Sequence, residues 1–314
     1  MNTDYGSIAG GVWPTMLTPM HADGSIDYDG LDSLVEWYIA AGVSGLFAVC
    51  QSSEMFHLSL SERVTIAERV VRRAAGRVGV IASGNTSDRP EEQVEELSRI
   101  AETGVDALVL VVNRFAKQGE DDVAWRSRVE QVIERLPRGT VLGLYECPVP
   151  YHRLLSVDSL DWIATLRRFA FLKDTCCSAE LQRQRSRQLA GSGLRLYNAN
   201  SATLLSSLRA GYAGFSGVMA NFHPQLYVWM CRFYDRFPEQ ADRLQDLLGA
   251  MSVFELQRYP VNAKRFLVEE GVLASAFCRK TGDGELAESQ RLELQQLART
   301  AARELALLQE EEKV

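Results

Sequence analysis

Short apolar runs recur along this chain near Val12, Gly45, Val78, Ala107, Val141, Phe171, Leu194 and Gly214, with starts mostly 24 to 34 residues apart. Each of the first seven is followed by a stretch with helical spacing of its apolar residues. That alternation constrains the fold more than any other feature, because one period is the length of a strand plus a helix. Parallel neighbours need such a crossover, whereas antiparallel ones can be joined by a tight turn. Runs such as Ala107-Leu108-Val109-Leu110-Val111-Val112 are apolar without alternation, as expected for strands covered by helices.

The intervening segments carry helix start and stop signals. Leu31, Leu34, Val35 and Tyr38 repeat at helical spacing after Asp27-Tyr28-Asp29, and Gly42 follows as a stop. Asp88 precedes Arg89-Pro90-Glu91-Glu92, a cap followed by an acidic first turn. Eight such units predict an α/β fold of the (β/α)8 TIM-barrel type. The doubly wound alternative lacks its fingerprint, since no GxGxxG follows the first strand. From about Pro224 the pattern turns to helices alone, at 225–237, 240–257, 262–270 and 285–312. We expect a barrel domain over 1–223 and C-terminal helices over 224–314, packed on the barrel because no Gly/Ser linker separates them.

A chain of 314 residues that is 46% hydrophobic can bury a large core. Its net charge of −7 argues against nucleic acid or an anionic membrane as a partner. The run Arg183, Arg185, Arg187 reads as the wet face of a helix. No apolar stretch reaches the length of a membrane span, and residues 1–5 lack the marks of a secretory signal. Six scattered cysteines form no disulfide framework, so a cytoplasmic location is expected. The four histidines complete no metal motif, and no metal or cofactor is expected.

Barrel chemistry gathers at the C-terminal ends of the strands. There the sequence places Thr15, Cys50-Gln51-Ser52-Ser53-Glu54, Asn85, Asn113-Arg114, Tyr145-Glu146-Cys147-Pro148, Lys173-Asp174-Thr175, Asn198 to Ser201, and Ser216-Gly217. Lys173 ends an apolar run. A lysine held among apolar neighbours has a lowered pKa, and its neutral amine attacks carbonyls. Tyr145 lies 28 residues upstream, at the corresponding end of the preceding strand. An amine and a phenol among small hydroxyls and amides suit a small carbonyl compound. Taken alone, a lysine at a strand end more often reaches solvent or a carboxylate than serves as a nucleophile.

These residues resemble the dihydrodipicolinate synthase / N-acetylneuraminate lyase family of pyruvate-dependent class I aldolases. The likeness rests on Gly11-Val12-Trp13-Pro14-Thr15-Met16-Leu17-Thr18-Pro19, Asp23-Gly24-Ser25-Ile26-Asp27, Ser52-Ser53-Glu54, Gly84-Asn85, Tyr145 with Pro148, and Lys173-Asp174-Thr175. The resemblance implies that Lys173 forms an imine with a 2-oxo acid and that Tyr145 is general acid/base. It also implies that Ser52, Ser53 and Gln51 bind the carboxylate, with Thr175, Ser216 and Gly217 lining the pocket. A homotetramer built as a dimer of dimers follows from the same likeness, and an aldehyde of unknown identity would be the second substrate.

Several positions depart from the family. Cys50 stands for a glycine and Gln51 for the first hydroxyl of the carboxylate loop. Val112 occupies the place of a relay tyrosine from a neighbouring subunit. Pro150 occupies that of the arginine that holds aspartate semialdehyde, and Arg153 lies three residues late. Asn200 and Ser201 replace the polar pair of the sugar-acid lyases. Glu146 either faces substrate or pairs with an arginine, Glu54 organises its loop, and Cys50, Cys147 and Cys176 read as buried small side chains. Two readings other than a lyase of unknown acceptor stay open: an authentic 4-hydroxy-tetrahydrodipicolinate synthase, and a non-catalytic binder of a 2-oxo acid.

Overall fold

The structure is a computed structural model that describes residues 8–313; the segment 1–5, read above for a targeting signal, lies outside them. Eight parallel strands lie in the order β1-β8-β7-β6-β5-β4-β3-β2. They are β1 (Gly11–Val12), β2 (Gly45–Val49), β3 (Gly79–Ser83), β4 (Ala107–Val111), β5 (Leu142–Tyr145), β6 (Phe169–Asp174), β7 (Arg195–Asn198) and β8 (Gly214–Phe215). The chain beyond β1 closes the ring on β2: the Met16 N–H donates to the Phe47 carbonyl at 3.0 Å, and the Phe47 N–H to the Pro14 carbonyl at 3.0 Å. The fold is therefore the (β/α)8 barrel that the alternation predicts.

Helices α1 (Tyr28–Ala40), α2 (Leu60–Ala74), α3 (Pro90–Ala101), α4 (Asp122–Ile133), α5 (Val157–Leu166), α6 (Ala179–Gln188) and α7 (Leu204–Arg209) alternate with the strands. Their starts follow local chemistry. Asp27 accepts from the Gly30 N–H, Ser156 from the Ser159 N–H, and Ser59 forms a reciprocal capping box with Glu62. Helix α8 (Pro224–Phe233) packs on β1 and β8, in the position of the barrel's eighth helix. The expected division at 223 and 224 thus falls between β8 and this helix. Three further helices follow: α9 (Pro238–Met251), α10 (Val261–Glu269) and α11 (Glu288–Glu311). The single helix expected over 240–257 is instead α9 and a separate 3-10 turn, Ser252–Leu256. No helix among the described residues is long and apolar enough to cross a membrane.

Large side chains fill the barrel from below. Trp13 fills the space over β2 and β3, where a Cβ at Gly45 would stand 2.2 Å from its ring and one at Gly79 2.6 Å. Phe171 stacks on Tyr197 with centroids 4.4 Å apart and meets Trp13 edge-on at 5.8 Å. Phe171 and Lys173 are two residues apart on β6 and so share its inward face. The aromatic layer is the floor under the lysine.

One sequence expectation is corrected. Arg183 is an exposed member of an i,i+3 pair with Glu180, but Arg185 is 1% exposed. Its guanidinium donates to both Glu146 oxygens, at 2.9 and 2.8 Å, and lies 3.1 Å from Asp174. The interior carboxylates just after β5 and at the end of β6 draw it inward. This also answers for Glu146, which pairs with an arginine.

Candidate active site

Strand register sets the two central residues. Tyr145 on β5 is the direct partner of Lys173 on β6. Both point into the mouth of the barrel, where the Lys173 ammonium lies 4.5 Å from the Tyr145 ring centroid and 6.0 Å from that of Phe47. Lys173 is 3% exposed, and among the described residues no carboxylate forms a salt bridge with it. Burial pushes its pKa below the usual lysine value, opposed by Cys50, Cys147 and Glu255. Desolvation of an unpaired ammonium favours the neutral, nucleophilic amine. The Tyr145 phenol is driven the other way: burial holds its pKa well above the ordinary value, with Cys147 and Cys50 adding to the effect. It therefore stays protonated, and it donates to Gln51 Oε1 at 3.3 Å.

The two residues open onto a cavity of about 430 Å³. Gln51, Ser52 and Thr175 line it. Ser52 donates to Thr15 Oγ1 at 3.1 Å, and Thr175 donates to the Glu146 carbonyl at 2.7 Å while its Oγ1 lies 2.8 Å from His152 Nε2. Ser53, Ser216 and Gly217 lie outside the lining. The Ser53 hydroxyl is bonded to the Cys50 carbonyl at 2.7 Å, and its N–H donates to that same carbonyl at 3.2 Å. Ser216 donates to the Trp13 carbonyl at 2.9 Å, and Gly217 leaves so little room that a Cβ would stand 2.4 Å from the Ala199 carbonyl oxygen. These three shape the wall.

Around this centre the loops are held rigidly. Asn113 donates to the carbonyls of Cys147 (2.6 Å) and Val149 (2.9 Å), which fixes the segment after β5. Glu54, with a left-handed φ of 62°, is buried against Lys264 at 2.7 Å, and its other oxygen accepts from the Lys280 N–H at 2.8 Å. The pair ties the loop after β2 to α10 and to the chain beyond it. Arg153 is tied away from the site, donating to Asp122 at 2.6 Å and to the Glu120 carbonyl at 2.9 Å. Val112 is buried and Pro150 exposed; neither lines the cavity. Among the described residues no group of His, Cys, Asp and Glu side chains could hold a metal.

Sequence reasoning missed the contribution of the C-terminal segment. Glu255 and Tyr259, on and just after the 3-10 turn Ser252–Leu256, line the same cavity as Lys173, as do Lys280, His57 and His152. The Tyr259 hydroxyl accepts from Asn221 Nδ2 at 3.0 Å and has Ser52 and Thr15 as further hydrogen-bonding neighbours. No local motif announces residues that reach a barrel mouth from a helical appendage.

An unpaired buried amine beside a phenol, at the C-terminal mouth of a (β/α)8 barrel, has the chemistry of a class I aldolase-type site, where a lysine can capture a ketone as an imine. The chain belongs to the dihydrodipicolinate synthetase family, whose sequence pattern it matches over residues 9–301. It is a carbon–carbon lyase of the Schiff-base type, acting on pyruvate or a related 2-oxo acid. It is 30% identical over 224 residues to the 4-hydroxy-tetrahydrodipicolinate synthase of Shewanella baltica, covering 69% of this chain and 71% of that one. Its fold is similar to the chloride-inhibited dihydrodipicolinate synthase of Acinetobacter baumannii complexed with pyruvate: TM-score 0.83, 24% identity, 96% of this chain and 99% of that chain. It is also similar to CdNal of Clostridium difficile, solved with mannosamine: TM-score 0.82, 20% identity, 93% and 99% coverage.

Proposed function

We propose that Lys173 attacks the ketone of pyruvate or a related 2-oxo acid, and that Tyr145 donates the proton with which the carbinolamine oxygen leaves as water. The observation that carries this reading is the pairing of a lowered lysine with a raised phenol on adjacent strand ends. A tyrosine that keeps its proton is an acid, and a positioned acid is worth about 10²–10⁴-fold. Ser52, backed by Thr15, with the Gln51 amide is the proposed carboxylate cradle, since these donors line the cavity beside the lysine.

The second substrate is an aldehyde other than aspartate semialdehyde. Relatives named as 4-hydroxy-tetrahydrodipicolinate synthases favour that synthase activity, but Pro150 offers no guanidinium and Arg153 is spent on Asp122. A homotetramer, as a dimer of dimers, and a cytoplasmic location complete the proposal. All six cysteines are free, which is consistent with a reducing compartment.

The test is borohydride trapping with pyruvate. One reduced pyruvyl group per chain on Lys173, absent in a folded Lys173→Ala, is the expected outcome. Label elsewhere, or none, would remove the lyase assignment of this site and leave a binder of 2-oxo acids.

A further inference from the structure

The aldehyde must reach the lysine-bound 2-oxo acid through the mouth of the barrel, so the side chains there decide which aldehyde is taken. Its carbonyl carbon has to meet C3 of the bound acid, next to the carbon that Lys173 holds. The remainder of the aldehyde then occupies the rest of the cavity of about 430 Å³. Much of that wall is apolar, made by Phe56, Pro148, Val149, Val218 and Pro260. Among the described residues no arginine lines it.

Glu255 interrupts this apolar wall. It lines the same cavity, close enough to Lys173 for each charge to act on the other. Its Oε1 is buried without a hydrogen-bond partner. The turn Ser252–Leu256 inverts the usual pattern to put it there: Val253 is 55% and Leu256 87% exposed, while the carboxyl between them turns inward. A broken local rule and an unpaired buried polar atom are both expected where function, and not stability, retains a residue. The turn is also braced. Asn262 donates to the Phe254 carbonyl at 2.7 Å, Gln257 to Glu293 at 2.7 Å, and Arg258 to the Glu285 carbonyl at 2.7 Å.

We propose that Glu255 selects the second substrate, an aldehyde without an acid group whose hydroxyl donates to the free Glu255 oxygen while its carbon skeleton packs on the apolar wall. The proposal rests on the reading of Lys173 as the imine-forming residue, and it names the chemistry of the aldehyde that this reading leaves open. A hydroxyl satisfies Glu255 in either ionisation state, because a carboxylate oxygen and the carbonyl oxygen of the acid both accept. A carboxylate on the aldehyde would offer no donor and would stand as a like charge.

The surrounding charges agree. Burial pushes the Glu255 carboxyl up to about 7, and the Lys173 charge opposes the rise. The enamine nitrogen that Lys173 becomes is neutral, so that opposing charge is gone when the aldehyde arrives. Glu54 is already paired with Lys264. Lys280 lies exposed at the rim, where water and salt screen it. His57 and His152 also reach the cavity, and burial and the Arg185 charge hold His152 below the usual histidine value. The deepest unpaired group that meets the aldehyde is therefore an acceptor.

Competition between matched aldehydes at saturating pyruvate tests this, with product followed by proton NMR. Butanal, 3-hydroxybutanal and succinic semialdehyde share a four-carbon chain and differ in bearing nothing, a hydroxyl or a carboxylate. Benzaldehyde and its three hydroxy derivatives vary the place of the hydroxyl. Ratios of kcat/KM between aldehydes cancel any change in imine formation. In the unmodified protein the best hydroxylated aldehyde should exceed its unsubstituted partner by about 10- to 150-fold, the worth of a hydrogen bond to a charged group. Succinic semialdehyde should fall below butanal. Glu255→Leu should bring the hydroxyl preference within about threefold of unity and raise succinic semialdehyde relative to butanal. Glu255→Gln, which keeps an oxygen acceptor and loses the charge, should retain part of the first preference and lose the second. Unchanged ratios in Glu255→Leu, or an equal loss with every aldehyde, would overturn the proposal, as would trapping of pyruvate without turnover of any aldehyde in the set. Failure of the unmodified protein to trap pyruvate with borohydride would instead remove the Lys173 reading itself.

Discussion

Lys173 and Tyr145 are register partners on β6 and β5, and the ammonium nitrogen of the first stands 4.5 Å from the ring centroid of the second. The geometry allows a cation–π contact worth about 0.5–2 kcal/mol. It does not supply a counter-ion. The lysine is therefore retained at a cost, as reactive groups often are.

Replacing it should show that cost. Lys173→Met conserves the unbranched shape and removes an unpaired buried charge. We expect it to raise stability by about 1–2 kcal/mol while abolishing the pyruvate adduct. Thermal or urea unfolding checks the first half and trapping the second. A destabilised variant would mean that the ammonium makes a structural bond.

The buried Glu146–Arg185–Asp174 cluster should behave in the opposite way. Arg185 holds both Glu146 oxygens and also donates to the Leu155 carbonyl at 3.0 Å, and Tyr212 donates to Asp174. Arg185→Met leaves two carboxylates buried without their cation. Breaking such a cluster from one side costs about 3–5 kcal/mol, and urea unfolding should show a loss in that range. Because Glu146 also accepts from the Leu155 N–H at 2.8 Å, the loop after β5 should loosen, measurable as faster amide exchange there.

Stability should fall on acidification through His223. Burial lowers its pKa to about 3, and both ring nitrogens are buried without partners beside the stacked Tyr227 ring. The folded pKa lies below the unfolded value of about 6.5, so between them the unfolded chain binds more protons. The contribution is intact above about 6.5 and is lost, at up to about 1.4 kcal/mol per pH unit, as pH falls toward 3. His223→Phe should flatten this limb of a pH-dependent unfolding series. An unchanged slope would place the loss on other groups.

Condensation of pyruvate with aspartate semialdehyde should be weak. Loss of a charge-assisted hydrogen bond costs about 1.5–3 kcal/mol, or roughly 10- to 150-fold in affinity. Steady-state turnover at saturating pyruvate is the measurement. Efficiency within tenfold of an authentic synthase would mean that Lys280 or another group at the rim replaces the guanidinium.

The barrel was legible because its signal is local and repeated. Strands such as Ala107–Val111 are fully buried apolar runs, and side-chain periodicity reports burial without any knowledge of partners. Lys173 and Tyr145 were legible for a related reason: one strand–helix unit places equivalent strand ends side by side, so their spacing encodes adjacency.

The rest depended on what tertiary packing brings together. Arg185 sits in a polar helix that by composition faces water, yet two interior carboxylates, Glu146 just after β5 and Asp174 at the end of β6, pair with it. Ser53 and Ser216 carry the same hydroxyl as Ser52, but backbone carbonyls claim theirs. Glu255 lies 82 residues beyond Lys173 in a segment with no motif, and only the packing of the C-terminal helices on the barrel mouth brings it into the same cavity. Sequence determines which residues are apolar and at what period, which is enough to specify strands, helices and their order. It does not say which polar atoms of distant segments will meet, because those pairings depend on distances that exist only once the chain has closed.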